Sequence, residues 1–257
     1  MEKNLEQFLT TISVPLPSKG ILYPKDSPLF KQESLNVREM TANEEDLLTS
    51  LALIRTGKAI DEVVKACIMQ KDIEPEKILV GDRNSIIAGL ILASYGNSYK
   101  TDVKCESCGE TNAKYEFDIN NLPVKWLKTQ PISEGFNEFE FTLPKSKKKI
   151  TFKLSTAEDE KEISNLIKKI QNSTDKEQNV TIRLKKLITS IDGVTDKAKI
   201  ATFIESRQLP IMDSVALRNY IEEISPDIDT RQDFECKKCG YQTKIIMPIS
   251  FNFFWRA

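Results

Sequence analysis

The stretch QDFECKKCGY, residues 232–241, sets two cysteines three apart, with a lysine pair between them and a glycine behind. It has a counterpart in VKCESCGE, so the pattern C-x-x-C-G occurs at 105–109 and again at 236–240. Two cysteines make half of a tetrahedral metal site, and the chain has no histidine to complete it. Four thiolates, from Cys105, Cys108, Cys236 and Cys239, satisfy a structural Zn2+ without help from water. The glycine has a mechanical reason: a cysteine knuckle turns tightly to aim backbone amides at sulfur, and glycine tolerates the positive φ this needs. The two pairs stand far apart in sequence, well beyond the roughly 15–20 residues of a compact four-cysteine ribbon. The pattern predicts one shared zinc, built from two knuckles distant in sequence and adjacent in space. Closing so long a loop costs roughly 4 kcal/mol of chain entropy, against metal binding of order 10 kcal/mol.

Taken by themselves, the residues leave other readings open. A redox C-x-x-C wants a βαβ context that neither copy has. Disulfides would suit a secreted protein and would leave Cys67 over. The pairs could also be half-sites completed by partners or by a homodimer, or unrelated structural cysteines.

At 257 residues the chain is long enough for a substantial core and for one or two domains. Charged residues make up 29% and the net charge is −1, which favours neither nucleic acid nor an acidic membrane. No apolar run approaches the roughly 18 residues of a membrane span. The opening MEKNLEQFLTTISVPLPSKG lacks an apolar signal region. Paired thiols and a Lys/Glu-rich composition point to a reducing cytoplasm.

Along the chain, residues 1–33 read as an extended, Pro-containing arm that either wraps a partner or runs along its own domain. Residues 34–98 read as a helical unit. Thr41 with Glu44 three residues later forms a capping box, and one helix runs from there to Gly57. A second helix starts near Ala59 and carries Cys67 in its core stripe. A third, capped by Asp82 or Asn84, ends at Gly96 with both faces buried. Residues 99–122 and 231–250 read as the two halves of a split zinc-ribbon-like module, each strand–knuckle–strand. Between them, 123–230 is an inserted β-hairpin, around Pro144, Lys145 and Ser146, followed by helices. Ser155 with Glu158 starts the first of these; VTIRLKKLITSI, DKAKIATFIES and MDSVALRNYIEEI are the others. The fold class is α+β.

Little in the chain suggests catalysis. No imidazole base exists, no nucleophile elbow or phosphate-binding glycine loop is present, and four thiolates leave zinc no open position. The acidic runs at 44–46 and 158–160 sit in first helical turns, where they favour the helix dipole. The basic KSKKK at 145–149 reads as a solvated hairpin tip. The tail, residues 251–257, concentrates Phe251, Phe253, Phe254 and Trp255, either as core beneath the ribbon or as an anchor on a partner.

Several stretches together resemble the baseplate assembly proteins of T-even-type contractile-tailed bacteriophages. They are LPSKG followed by ILYP, VREMTANEEDLLTS, GKAID, LVGDRN, the YG before the first ribbon strand, and V-x-C-x-x-C-G with a later FDI. The likeness is specific between Leu16 and Ile119 and resumes in F-x-C-x-x-C-G and the aromatic tail; from about 130 to 230 there is none. The resemblance implies a non-enzymatic viral protein of the host cytoplasm or the virion, a part or an assembly factor of the baseplate hub, with other baseplate proteins as partners. It carries over no catalytic residue. Gly81, Asp82, Arg83 and Asn84 match as well, as a helix cap with Arg83 pairing an acid or facing a partner. A zinc-ribbon protein of nucleic acid or transcription is the alternative, and a cysteine-dependent redox enzyme the third.

Overall fold

The computed structural model describes residues 9–120, 122–173, 179–206, 208–247 and Phe254. Strand β1 (Thr11–Pro15) pairs antiparallel with β2 (Ser34–Arg38), and the broad loop between them is folded inward. Leu16, Leu22, Tyr23 and Leu29 are buried, so the described part of the Pro-containing segment runs along its own domain. Gly20 (φ 68°) makes the loop possible: a Cβ there would lie 2.3 Å from the Leu29 carbonyl oxygen.

The expected first helix is two. Helix α1 (Ala42–Thr49) starts at the Thr41–Glu44 capping box, and Ser50 turns extended before α2 (Leu51–Thr56). Gly57, in the left-handed region at φ 65°, ends α2. Helix α3 (Ala59–Cys67) buries Val63, Val64 and Cys67 on one face. Burial pushes the Cys67 thiol up to about 12, which fits a small apolar core residue. Helix α4 (Val80–Tyr95) is buried on nearly all sides from Ser85 to Ile91. At Gly89 it lies so close to β1 that a Cβ would meet Val14 Cγ2 at 2.3 Å.

Beyond Gly96 come the hairpin β3 (Ser98–Lys104) and β4 (Thr111–Asp118), which carries the first knuckle at its tip. A short β5 (Val124–Lys125) follows, then the hairpin β6 (Phe139–Thr142) and β7 (Lys149–Phe152). Helices α5 (Ala157–Ser173) and α6 (Asn179–Leu187) lead into β8 (Ile188–Ile191), which joins the hairpin as a third strand in the order β6-β7-β8. The stretch VTIRLKKLITSI is therefore half helix and half strand, because Ile188 and Ile191 complete the sheet against Phe152 and Ile150. The cap of α5 is also one residue later than expected: Thr156 and Asp159 exchange the hydrogen bonds, not Ser155 and Glu158.

Helices α7 (Lys197–Glu205) and α8 (Ile211–Ile224) complete the inserted segment. Strand β9 (Asp227–Ile228) pairs back onto β5, and β10 (Arg231–Glu235) with β11 (Gln242–Ile246) forms the second knuckle hairpin. The architecture is mixed helix and sheet, with small antiparallel sheets only among the described residues. One apolar cluster runs through it, from Leu16 by way of Ile86, Phe117, Phe152 and Leu217 to Phe234 and Phe254.

Candidate metal centre

The two hairpins present their knuckles to each other by the same backbone device. Cys105 N–H donates to the Glu110 carbonyl and Gly109 N–H to the Cys105 carbonyl, at 2.8 and 3.0 Å. In the second copy Cys236 N–H donates to Tyr241 and Gly240 N–H to Cys236, each at 2.9 Å. Gly109 and Gly240 have φ of 73° and 70°, the left-handed conformation that the sequence pattern required.

The four sulfurs meet. Cys105 Sγ lies 3.8 Å from Cys239 Sγ, Cys108 Sγ lies 3.7 Å from Cys236 Sγ, and all four fall within 4.8 Å of one another. A tetrahedron with metal–sulfur bonds of about 2.3 Å has edges near 3.8 Å, so the donor set fits a tetrahedral soft cation. The separations are far from the roughly 2.05 Å of a disulfide, and all five cysteines are free thiols. Cys105 and Cys236 are buried, whereas Cys108 and Cys239 face solvent. The Cys239 amide, with Asn112 behind it, brings the Cys236 thiol down to about 6. The Glu110 amide favours the Cys108 thiolate, but desolvation and the three neighbouring sulfurs outweigh it and push that thiol up to about 12. Holding Cys108 as a thiolate beside the other sulfurs therefore calls for a cation among them.

Asn112 and Tyr115, which the sequence did not single out, bind the hairpins together beside the sulfurs. Asn112 is buried on β4; its Nδ2 donates to Cys236 Sγ at 3.6 Å, and its Oδ1 accepts from the Lys237 amide at 2.8 Å. The Tyr115 ring lies 5.0 Å from Phe234, and its hydroxyl accepts from the Glu235 amide. An exposed ion pair, Lys238 to Glu110, closes the outer edge. Only the position of Asn112 between two strand residues hinted at burial, and its partner lies on the other hairpin.

A family model described as "T4 bacteriophage base plate protein" matches residues 11–255. The chain belongs to that baseplate family. The match runs through residues 130–230, where the sequence by itself showed no likeness. Neither a curated protein nor a solved structure matches the chain.

The other residues singled out in this baseplate protein fall in different places. Asp82 and Asn84 do not cap α4, whose first turn follows Leu79. Asp82 is instead fully buried and accepts from Ser18 N (2.9 Å), Ser18 Oγ (2.5 Å) and Tyr23 Oη (2.6 Å). Tyr23 Oη accepts in turn from the Leu79 amide. Burial raises the Asp82 carboxyl above its ordinary value despite these donors, and burial beside Asp82 raises Tyr23. Arg83 donates to Asp61 at 2.7 Å, and Asn84 to Asp227 at 3.0 Å. Phe254 is buried in the core cluster, while Phe251, Phe253 and Trp255 lie outside the described residues. No helix among the described residues is long and apolar enough to cross a membrane.

Proposed function

We propose that this baseplate protein is a non-enzymatic scaffold of the baseplate hub, a structural part or assembly factor that acts by protein contacts in the host cytoplasm and the tail. The reading rests on the family match together with one observation: four thiols from two hairpins, one mid-chain and one near its end, converge within 4.8 Å. Cys105, Cys108, Cys236 and Cys239 would hold Zn2+ as thiolates, and the ion would supply a cross-link between the hairpins. Asn112 orients Cys236 and fixes the second knuckle against the first. The split zinc-ribbon-like module would then hold its two hairpins in one fixed relation on a body whose helical unit already packs against the inserted segment, as at Val80–Ser155 and Asn84–Asp227. Phe251, Phe253 and Trp255 remain candidates for a partner-binding surface. Phe254 has its side chain in the core and belongs to the body instead.

Elemental analysis beside native mass spectrometry tests the metal, and co-sedimentation of the full chain with baseplate particles tests the role. One zinc per monomer, with the chain in baseplate or hub fractions, is the expected result. Metal-free protein, or one ion shared by two chains, removes the staple. A chain that never enters a baseplate intermediate removes the assembly reading.

A further inference from the structure

Helix α2 buries none of its side chains, although its sequence, LALIRT, opens with four apolar residues. Leu51 is 68% exposed and Ile54 39%, a pairing three residues apart that puts both on one uncovered helical face. Single exposed apolar residues are ordinary, but a helix in which only Leu53 is half-covered has little of the packing that usually stabilises so short an element. Beside it runs a groove of about 380 Å³ between α2, the first turn of α4 and the outer face of α5. Its cations outnumber its carboxylates. Arg55, Lys161 and Lys168 line it and form no ion pair among the described residues. Asp61 and Glu160 line it too, but both are engaged: Asp61 by Arg83, and Glu160 by the Arg183 guanidinium. Arg83 at the floor spends Nη2 on Asp61, while its buried Nε finds no acceptor.

We propose that this groove and the uncovered face of α2 dock an acidic amphipathic segment from another protein of the tail. Leu51 and Ile54 would cover its apolar side. Arg55, Lys161 and Lys168 would pair its carboxylates, with the partly compensated Arg83 adding positive potential from below. A chain of net charge −1 that keeps a locally cationic groove beside exposed leucine and isoleucine is complementary to acid and apolar surface together. A nucleic acid would leave the apolar face of α2 uncovered. This inference rests on the assembly reading above and gives it a surface and a partner chemistry.

The test uses the full chain and a fluorescein-labelled peptide of repeated Leu-Glu-Glu-Leu units, read by anisotropy. A counterpart with lysine for glutamate and a single-stranded oligothymidine serve as controls. The acidic peptide should bind, should weaken with added salt, and should bind at least ~10-fold more weakly to Lys161→Glu/Lys168→Glu. Leu51→Ser should weaken it too, and Lys161→Arg/Lys168→Arg should restore it. The three positions in these variants, Leu51, Lys161 and Lys168, are exposed or partly exposed, so melting temperatures should change little. Equal binding of the basic peptide, indifference to charge reversal, or oligothymidine binding through the same lysines would overturn the proposal. So would a wild-type dimer in analytical ultracentrifugation that the charge reversal abolishes, since the occupant would then be a second copy. Co-sedimentation separates the two levels. Charge-reversed protein that still enters baseplate particles sinks the groove alone, and wild-type protein that never enters them sinks the assembly reading.

Discussion

Two places in this molecule tie together segments that are remote in sequence, and they do it by opposite chemistry. At the knuckles four sulfurs converge at the edge of the fold, half of them exposed, on hairpins with few buried side chains. At the start of α4, a fully buried carboxylate gathers Ser18 and Tyr23 from the N-terminal loop, and Gly81 lets the chain near Pro226 close over it. The first junction brings four sulfur donors together, and on the reading proposed above an ion would reconcile them. The second depends on complete burial and on every donor finding its acceptor.

The largest effect expected is at the sulfurs. Cys105→Ser and Cys236→Ser should each abolish zinc binding and lower the melting temperature by the same amount, because both would serve one ion. The free energy at stake is of order 10 kcal/mol. A large loss for one and a mild loss for the other, measured by calorimetry, would break the shared site into two. The pattern of loss also sharpens the comparison. Hydrogen exchange should rise first in β3, β4, β10 and β11, and later in α4.

Asp82→Ala comes next. It strands the Ser18 and Tyr23 donors in a dry site, at a cost of roughly 3–5 kcal/mol. Unlike the cysteine variants, it should raise exchange across α4 and the N-terminal loop while leaving metal content intact. The carboxyl is held above its ordinary value near 3.8 by burial, so its contribution is complete below that value and is lost as pH rises through the folded one. Asp82→Asn should therefore flatten the pH dependence of stability on that side. An unchanged slope would mean that Asp82 is not the group responsible.

The knuckles were legible because a tight turn is local: C-x-x-C-G carries its own backbone geometry, and its second copy could be matched by eye. The Asp82 junction was not. Within LVGDRN an aspartate before an apolar run reads as a cap, and nothing nearby announces Ser18 or Tyr23, whose bonds reach back 64 and 59 residues. The same limit explains Ile188–Ile191, where helical periodicity continues through residues that a distant sheet edge takes as strand. It also explains Asn112, whose partners sit across the cysteine cluster on another hairpin. The cationic groove is of this kind as well, since Arg55, Arg83 and Lys161 belong to three different helices.

Gly81→Ala probes the covering of the core junction with a smaller change. Its Cβ would lie 1.9 Å from the Pro226 carbonyl oxygen, so α4 and the β9 segment must part. Overpacking of this sort costs roughly 1–3 kcal/mol. Denaturation midpoints should fall accordingly with no change in zinc stoichiometry; a change in stoichiometry would mean that the two junctions are mechanically coupled.

The smallest effect expected is at Glu44, where a polar constellation is both buried and local. Its carboxylate accepts from Thr41 N at 2.7 Å and from Arg38 Nη2 at 2.8 Å, closing the capping box of α1. The Arg38 hydrogen bond, with the Thr41 bonds, outweighs burial and brings the carboxyl down from 4.5 to about 2. A group lowered in the folded state stabilises at every pH above its unfolded value, and that contribution disappears as pH falls from about 4.5 to about 2. Glu44→Gln should cost roughly 1–2 kcal/mol near neutrality and remove stability loss from that acid window, the opposite side of the scale from Asp82. If chemical denaturation across pH gave both variants the same sign of slope, burial and ion pairing would not be the forces that separate these two carboxyls.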